Sequence, residues 1–298
     1  MIKVIMIGLV MVVFAACSKQ AINNYKKGIY STKQGKQIDI NKLVKDVEHY
    51  PVIFIGDHHN TPKTHKFFEQ FLQKLAQSGY NLHLANEWFS PKHNELLKQY
   101  TDGKIDSNEL KEKREWKKFT KYKWELVQPL YETIKQSNGK LYGINISKKD
   151  RAKISLRQFE KMDDTLKLFY DELDLNVSSH KNLIIPYFNH CDKMPKKSDE
   201  NCQNRMYRVQ VSWDTYMANE SAKIAKKALK TKKDKLIIFA GALHVEYGLG
   251  IPLRFSRKNN LPFFIISNHK YKDEKNIKLE HNKADAIYIY KKNHTKKL

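Results

Sequence analysis

Residues 56–65 read GDHHNTPKTH and crowd Asp57, His58, His59 and His65 directly behind the apolar run Val52-Ile53-Phe54-Ile55. Two other apolar runs end in similar chemistry. NLHLANEWF delivers Glu87, and KLIIFAGALHVEYGLGIP delivers His244, Glu246 and Tyr247. Neutral imidazoles with a carboxylate can hold a divalent metal that polarises a carbonyl or activates water. On that chemistry His58, His59, Glu87 and His244 point to a metal-dependent hydrolase or peptidase. Adjacent His58 and His59 cannot share one helix face as in H-E-x-x-H, so several strands must assemble such a site. The alternative is that these side chains hydrogen-bond turn backbone, or one another, and fix a cleft. His65 is expected at the solvent or in a capping contact. No G-x-S-x-G elbow occurs, and Gly248-Leu249-Gly250 lacks the third glycine and the helix of a nucleotide loop.

The elements that must position these groups are legible in the patterning. Short apolar runs at 52–56, 82–85, 141–146, 236–240, 263–266 and 287–290 read as buried strands, mostly separated by helix-length segments. The expected fold class is α/β, a mostly parallel central sheet flanked by helices with a smaller all-helical subdomain. The clearest helix is TPKTHKFFEQFLQKLAQSG. Thr61 can cap it, Pro62 suits its first turn, Phe67, Phe68, Phe71, Leu72 and Leu75 form one face, and Gly79 can end it. GDHHN is then the turn between a strand's carboxyl end and a helix's amino end, where open α/β sheets bind ligands. LRQFEKMDDTLKLFYDEL and VSWDTYMANESAKIAKKAL have helix-period apolar residues and place the helical subdomain at 154–230, interrupted around 176–204. WKKFTKYKWELVQPLYETIKQ reads as another helical piece ending at Asn138-Gly139, and the α/β domain takes residues 17–153 and 231–298.

The first residues, MIKVIMIGLVMVVFAAC, have one basic residue, an apolar run and small residues before Cys17, which predicts a secretory signal over 1–16. Phe14-Ala15-Ala16-Cys17 resembles the lipobox of bacterial lipoproteins. That implies cleavage before Cys17, a lipid on this cysteine, and a body held at the bacterial membrane facing the periplasm. A plain secretory signal with an incidental cysteine is the alternative. Ser18 in place of Asp tilts the expectation towards the outer membrane, and no later run is long enough to span a bilayer.

The formal charge is +23, but only 7 of the 55 basic residues are Arg, and they do not cluster. Scattered Lys is a solvated point charge, whereas Arg grips phosphates and reads bases, so no nucleic-acid partner is expected. Cys191 and Cys202 flank a polar segment in an exported chain, which predicts a disulfide closing a small loop. Metal binding by the two cysteines with His190 is the alternative.

In order along the chain, VIFIGDHHNTPKTHKFFEQFL, NEWFSPKHNELLKQYTDGKID, the Trp116 to Trp124 pair followed by QPLYETIK, GINISKKDRAKIS, VQVSWDTYMANESAKIA and GALHVEYGLGIPLRF resemble the ChaN-like haem-binding lipoproteins. That family is similar to a wider group of erythromycin esterases and TIKI-type peptidases, in which a G-x-x-H element and an acid belong to a metal site. Gly241-Ala242-Leu243-His244 supplies that pattern here, while Gly56-Asp57 stands where relatives commonly have Gly-Glu. The resemblance implies haem binding in iron uptake rather than turnover, a tyrosine ligand to ferric iron, and His and Lys at the propionates. Tyr247 is the first candidate ligand because it lies in the matched GALHVEYGLGIP element between glycines, with Tyr207 and Tyr142 in reserve. His190 and Lys153 are the candidates for the propionates. Haem has two faces, so a homodimer promoted by haem is expected, with an outer-membrane haem receptor as a further partner.

Overall fold

The computed structural model describes residues 25–189, 191, 201–272 and 277–291. Eight strands form one sheet: β1 (Gly28–Ser31), β2 (Lys36–Ile38), β3 (Val52–Asp57), β4 (Asn81–Asn86), β5 (Lys140–Gly143), β6 (Asp234–Gly241), β7 (Phe263–Tyr271) and β8 (Ala286–Lys291). Their spatial order is β2-β1-β8-β7-β3-β6-β4-β5. From β8 to β5 every pairing is parallel, and only β1 runs antiparallel to its neighbours β2 and β8. The six apolar runs all became strands. β3 and β6 are buried at every position, as a parallel strand covered on both faces must be. The β1–β2 hairpin had no such run to mark it, because its strands are short and β2 is largely exposed.

One face of the sheet is covered by helices Ile40–Asp46, Pro62–Gln77, Asn94–Thr101, Ser107–Lys113, Trp116–Phe119 and Trp124–Gln136, which bring Phe67, Phe68, Phe71, Leu72, Leu75, Trp116, Trp124 and Tyr131 into one core. Each such side chain contributes on the order of 1.5–3 kcal/mol when fully buried. The Pro62–Gln77 helix ends in Gly79 at φ +78, as its sequence predicts. Thr61 does occupy the position before the helix, but its hydroxyl donates to the His58 carbonyl at 2.6 Å instead of accepting from the helix. The hydroxyl thus braces the GDHHN turn. WKKFTKYKWELVQPLYETIKQ is two helices, Trp116–Phe119 and Trp124–Gln136, separated by a loop that carries Tyr122.

The other face holds Met217, Ala218, Ile224 and Ala225 of the long helix Cys202–Ala228 together with Ile251 and Phe255. The amino half of that helix packs elsewhere. Tyr207 and Val211 join Ile184, Phe188 and Cys191 in one satellite cluster, and Ile146, Ile154, Met162 and Leu166 form a second. Residues 154–230 therefore divide: the short helices Lys148–Ser155, Asp164–Asp171 and Ser178–Ile184 lie off the sheet, whereas the carboxyl half of Cys202–Ala228 belongs to the sheet's own core. LRQFEKMDDTLKLFYDEL is not one helix: it begins behind Lys148–Ser155 with Arg157 in the left-handed region, passes through a short turn at Phe159–Lys161 and is α-helical only over Asp164–Asp171. A disulfide joins Cys191 to Cys202 with Cα atoms 5.6 Å apart. Among the described residues no helix is long and apolar enough to cross a membrane. The signal segment and Cys17 lie outside the described residues.

Candidate functional site

β3, β6 and β4 are consecutive in the sheet, so the residues following their carboxyl ends meet at one edge. Asp57 closes β3, Glu87 follows β4, and Gly241 closes β6 just before His244. Together they build a line of alternating acids and imidazoles. His59 donates from Nδ1 to Asp57 Oδ2 at 3.0 Å and faces Glu87 Oε1 with Nε2 at 3.1 Å. Glu87 Oε2 accepts the Gly241 N–H at 3.0 Å and lies 3.8 Å from His244 Nε2. His244 Nδ1 donates to Asp214 Oδ1 at 2.5 Å, and Asp214 Oδ2 is 3.3 Å from His180 Nε2. The order is Asp57, His59, Glu87, His244, Asp214, His180, running from the sheet edge into the helical satellite.

The electrostatics follow from burying these charges side by side. Burial alone would raise the Asp57 carboxyl, but hydrogen bonds and charge from His59 and His65 outweigh it and hold it at about 2. Burial would lower His59, yet the Glu87 charge and the hydrogen bond to Asp57 push the ring up to about 10, so it is an imidazolium with both N–H groups in use. Glu87 is held below the usual carboxylate range, against its burial, by His59 first and then by His244 and the Gly241 N–H. His244 is raised despite burial because Asp214 lies against it, and Asp214 in turn is lowered to about 2 by His244, His180 and Arg254 acting against its burial. Opposite charges at hydrogen-bond distance dominate desolvation at each of these groups.

Close approach requires glycine at two points. A Cβ on Gly241 would sit 2.8 Å from His59 Nε2, and one on Gly250 would sit 2.2 Å from the His244 carbonyl oxygen. The wall beside His59 is aromatic. Tyr122 lies tilted on the imidazole with ring centroids 4.3 Å apart, and Trp88 stands edge-on at 6.1 Å. Asn60 pins the Tyr122 loop by accepting the Lys123 N–H at 2.8 Å.

His58 and His65 are not where the spacing suggests. His58 turns from Glu87 towards Glu246, with Nε2 3.7 Å from Oε1, and its Nδ1 is buried without a hydrogen-bond partner. A His58, Glu87, His244 trio is therefore not assembled; His59 stands in the place of His58. Among the described residues no group of three or more His, Cys, Asp and Glu is arranged to hold a metal ion. His65 is buried, not solvent-facing: Nδ1 donates to the Leu126 carbonyl at 3.0 Å and Nε2 lies 3.1 Å from Asp57. The buried Asp57 carboxylate needs partners from the helix above it, and His65 is one helical turn in.

The candidate tyrosines separate clearly. Tyr247 follows the short helix Ala242–Val245 in the left-handed region, φ +61, where a side chain with a Cβ costs roughly 1–2 kcal/mol. Its N–H donates to the Lys283 carbonyl at 2.9 Å and its half-buried phenol to Glu280 Oε2 at 2.5 Å. Burial and then Glu280 raise the phenol well above its usual range. Tyr207 is buried in the satellite cluster and donates to the Val177 carbonyl at 3.2 Å. Tyr142 sits on the edge strand β5, 3.1 Å from His83 Nδ1, lining a depression shared with Asn81 and Asp234 at the opposite, amino ends of β4 and β6. Lys153 pairs with Asp150 on its own helix at 3.3 Å, and His190 lies outside the described residues. Sequence reasoning missed Asp214, Tyr122 and Lys283. Asp214 lies mid-helix, thirty positions from His244, and only its place inside the quoted VQVSWDTYMANESAKIA could have pointed to it.

The haem-binding uptake family of the Tiki superfamily, ChaN, matches residues 43–255. Among solved structures, one described as cofacial heme binding to ChaN of Campylobacter jejuni superposes with a TM-score of 0.65 at 17% identity, covering 89% of this chain and 96% of that one. The type III effector HopBA1 gives a TM-score of 0.49 at 14% identity over 85% of this chain and 94% of its own. An erythromycin esterase in its open conformation gives 0.46 at 12% identity over 82% and 76%. No curated protein sequence matches the chain. The family match spans β3 to the helix after Tyr247, and with it the whole line from Asp57 to His244, so the chain belongs to the ChaN family of haem-binding uptake proteins.

Proposed function

We propose that the protein binds ferric haem through Tyr247 and serves haem or iron uptake as a carrier or store at the bacterial membrane. The observation that carries this reading is the Tyr247 turn, an aromatic residue held in a costly backbone conformation beside the cleft. The residues around it suit a planar iron complex that carries two anionic propionates. Tyr247 offers a phenol oxygen, the Lys283 ammonium and the His58 imidazole border the same turn through Glu246, and Tyr187 exposes an aromatic ring. Haem supplies a ferric centre for which a phenolate oxygen is an established protein ligand. The phenol must lose its proton to serve, and Glu280, which already accepts it, is placed to take it. Lys153 and His190 remain the proposed propionate partners, with Lys153 exchanging its Asp150 contact for a propionate. The finer assignments belong to the same reading: a lipid on Cys17, haem-promoted dimerisation, delivery to or from an outer-membrane receptor, and no turnover.

The test is the absorption spectrum of the hemin complex. Tyr247→Phe is expected to remove the charge-transfer bands of phenolate ligation. An unaltered spectrum would move the ligand to another residue.

A second reading, hydrolysis, is favoured by one observation. Two imidazoles, each oriented by a buried Asp, converge on Glu87 at the cleft, the arrangement general acid–base catalysis uses. It assigns His59, Glu87 and His244, not His58. Ester hydrolysis by the purified chain that disappears in Glu87→Gln would establish it, and absence of hydrolysis across ester substrates would remove it.

A further inference from the structure

We propose that the largely buried Glu246–Lys283 ion pair is a positioning device for Tyr247, so that iron capture by this phenol depends on two residues acting only through the turn that clasps it. The inference rests on the Tyr247 reading above. Among the described residues five non-glycine residues have positive φ, and Tyr247 is the one aromatic of these. Two of the others are Asn, which tolerates this region through local hydrogen bonding. A tyrosine has no such intrinsic preference, so its neighbours must hold it there.

They do so through a single turn. The Lys283 N–H donates to the Glu280 carbonyl at 3.0 Å and closes the turn. From it the Lys283 carbonyl accepts the Tyr247 N–H, and the Glu280 carboxylate accepts the Tyr247 phenol. Main chain and ring tip of Tyr247 are thus fixed by the two ends of one short segment. What ties the segment to the residue before Tyr247 is the Lys283 side chain, which reaches back to Glu246 Oε1 at 3.0 Å and to the Asn268 carbonyl on β7 at 3.4 Å. Glu246 precedes Tyr247 in sequence, is 8% exposed at its side chain, and accepts a hydrogen bond from the Ser267 hydroxyl on β7. The clasp therefore forms a closed ring of contacts from Glu246 through Lys283 back to Tyr247, anchored twice to the sheet.

A buried ion pair is weak evidence for stability, since well-packed apolar residues often serve as well. Its value here is geometric. Breaking it removes the tie between this segment and the residue before Tyr247, while the His281 contact with the Thr32 carbonyl and the buried Ile277 and Ala284 still hold the segment to the fold, so the phenol loses its defined position without loss of the fold.

The full chain in detergent, titrated with hemin, tests this. Glu246→Gln and Lys283→Met are each expected to weaken hemin binding roughly tenfold or more, the size that partners of a metal ligand carry, and to shift or broaden the phenolate charge-transfer band. The double variant should be no worse than the weaker single. Singles with wild-type affinity and an unmoved band would overturn the proposal, as would fully additive losses. Circular dichroism reports whether each variant folds. If either does not, Ser267→Ala keeps both charges and still loosens Glu246, so it should broaden the band; an unmoved band there overturns the proposal. Tyr247→Phe separates the two readings. If it leaves the spectrum unchanged, the ligand assignment fails; if it removes the band while the clasp variants keep it, only the positioning role fails.

Discussion

Glu87 accepts hydrogen bonds from His59 and from the Gly241 main chain, so its charge holds the two walls of the cleft together. At this scale the account predicts how stability depends on pH. His59 is raised to about 10, and a raised histidine contributes stability that is complete below its ordinary 6.5 and lost as pH climbs towards 10. The raised His244 acts in the same direction. Asp57 and Asp214 are lowered to about 2 from 3.8, so their contribution is present above 3.8 and lost as pH falls through 2. The melting temperature is therefore expected to be highest from about pH 4 to 6.5 and to decline above it. His59→Gln should lower the maximum and flatten the alkaline decline. A variant with an alkaline decline as steep as the parent's would show that other groups carry it. NMR titration of His59 gives a second check, with a ring still protonated at pH 8 as the expected result.

Among the elements, strands were legible and the contacts between turns were not. The apolar runs at 52–56 and 236–240 name β3 and β6 because a strand buried on both faces has no polar alternation to hide it. Adjacency of β3, β6 and β4 is a long-range fact, and so is the pairing of His244 with Asp214 on the helix that crosses above them. His65 was misplaced for the same reason. Its spacing in the Pro62–Gln77 helix does not reveal that a buried carboxylate lies beneath the first turn. The glycines around the site are element-scale devices, and they can be tested singly. Gly250→Ala places a Cβ against the His244 backbone and is expected to destabilise the fold by about 1–3 kcal/mol, read by denaturant unfolding. Gly241→Ala should act differently, displacing the His59 ring and returning its titration towards the ordinary range. A Gly241→Ala chain with an unmoved His59 titration would contradict the packing described for this cleft.

Among the described residues the molecule is a mostly parallel sheet whose carboxyl edge is overlaid by a long helix serving two masters, the sheet core at one end and a small disulfide-linked satellite at the other. The Cys191–Cys202 bond closes a short loop where the satellite core is thin, and replacing both cysteines with Ser should cost about 2–3 kcal/mol in unfolding free energy. No change in the unfolding midpoint on replacement would show the satellite to be held by packing alone. The central claim is that this molecule takes haem, and a hemin titration of the chain lacking residues 1–17, followed in the Soret region, tests it most directly. Saturation at a fixed stoichiometry with a shifted Soret band and phenolate charge-transfer bands is the predicted result; a spectrum that remains the sum of free hemin and protein would contradict it.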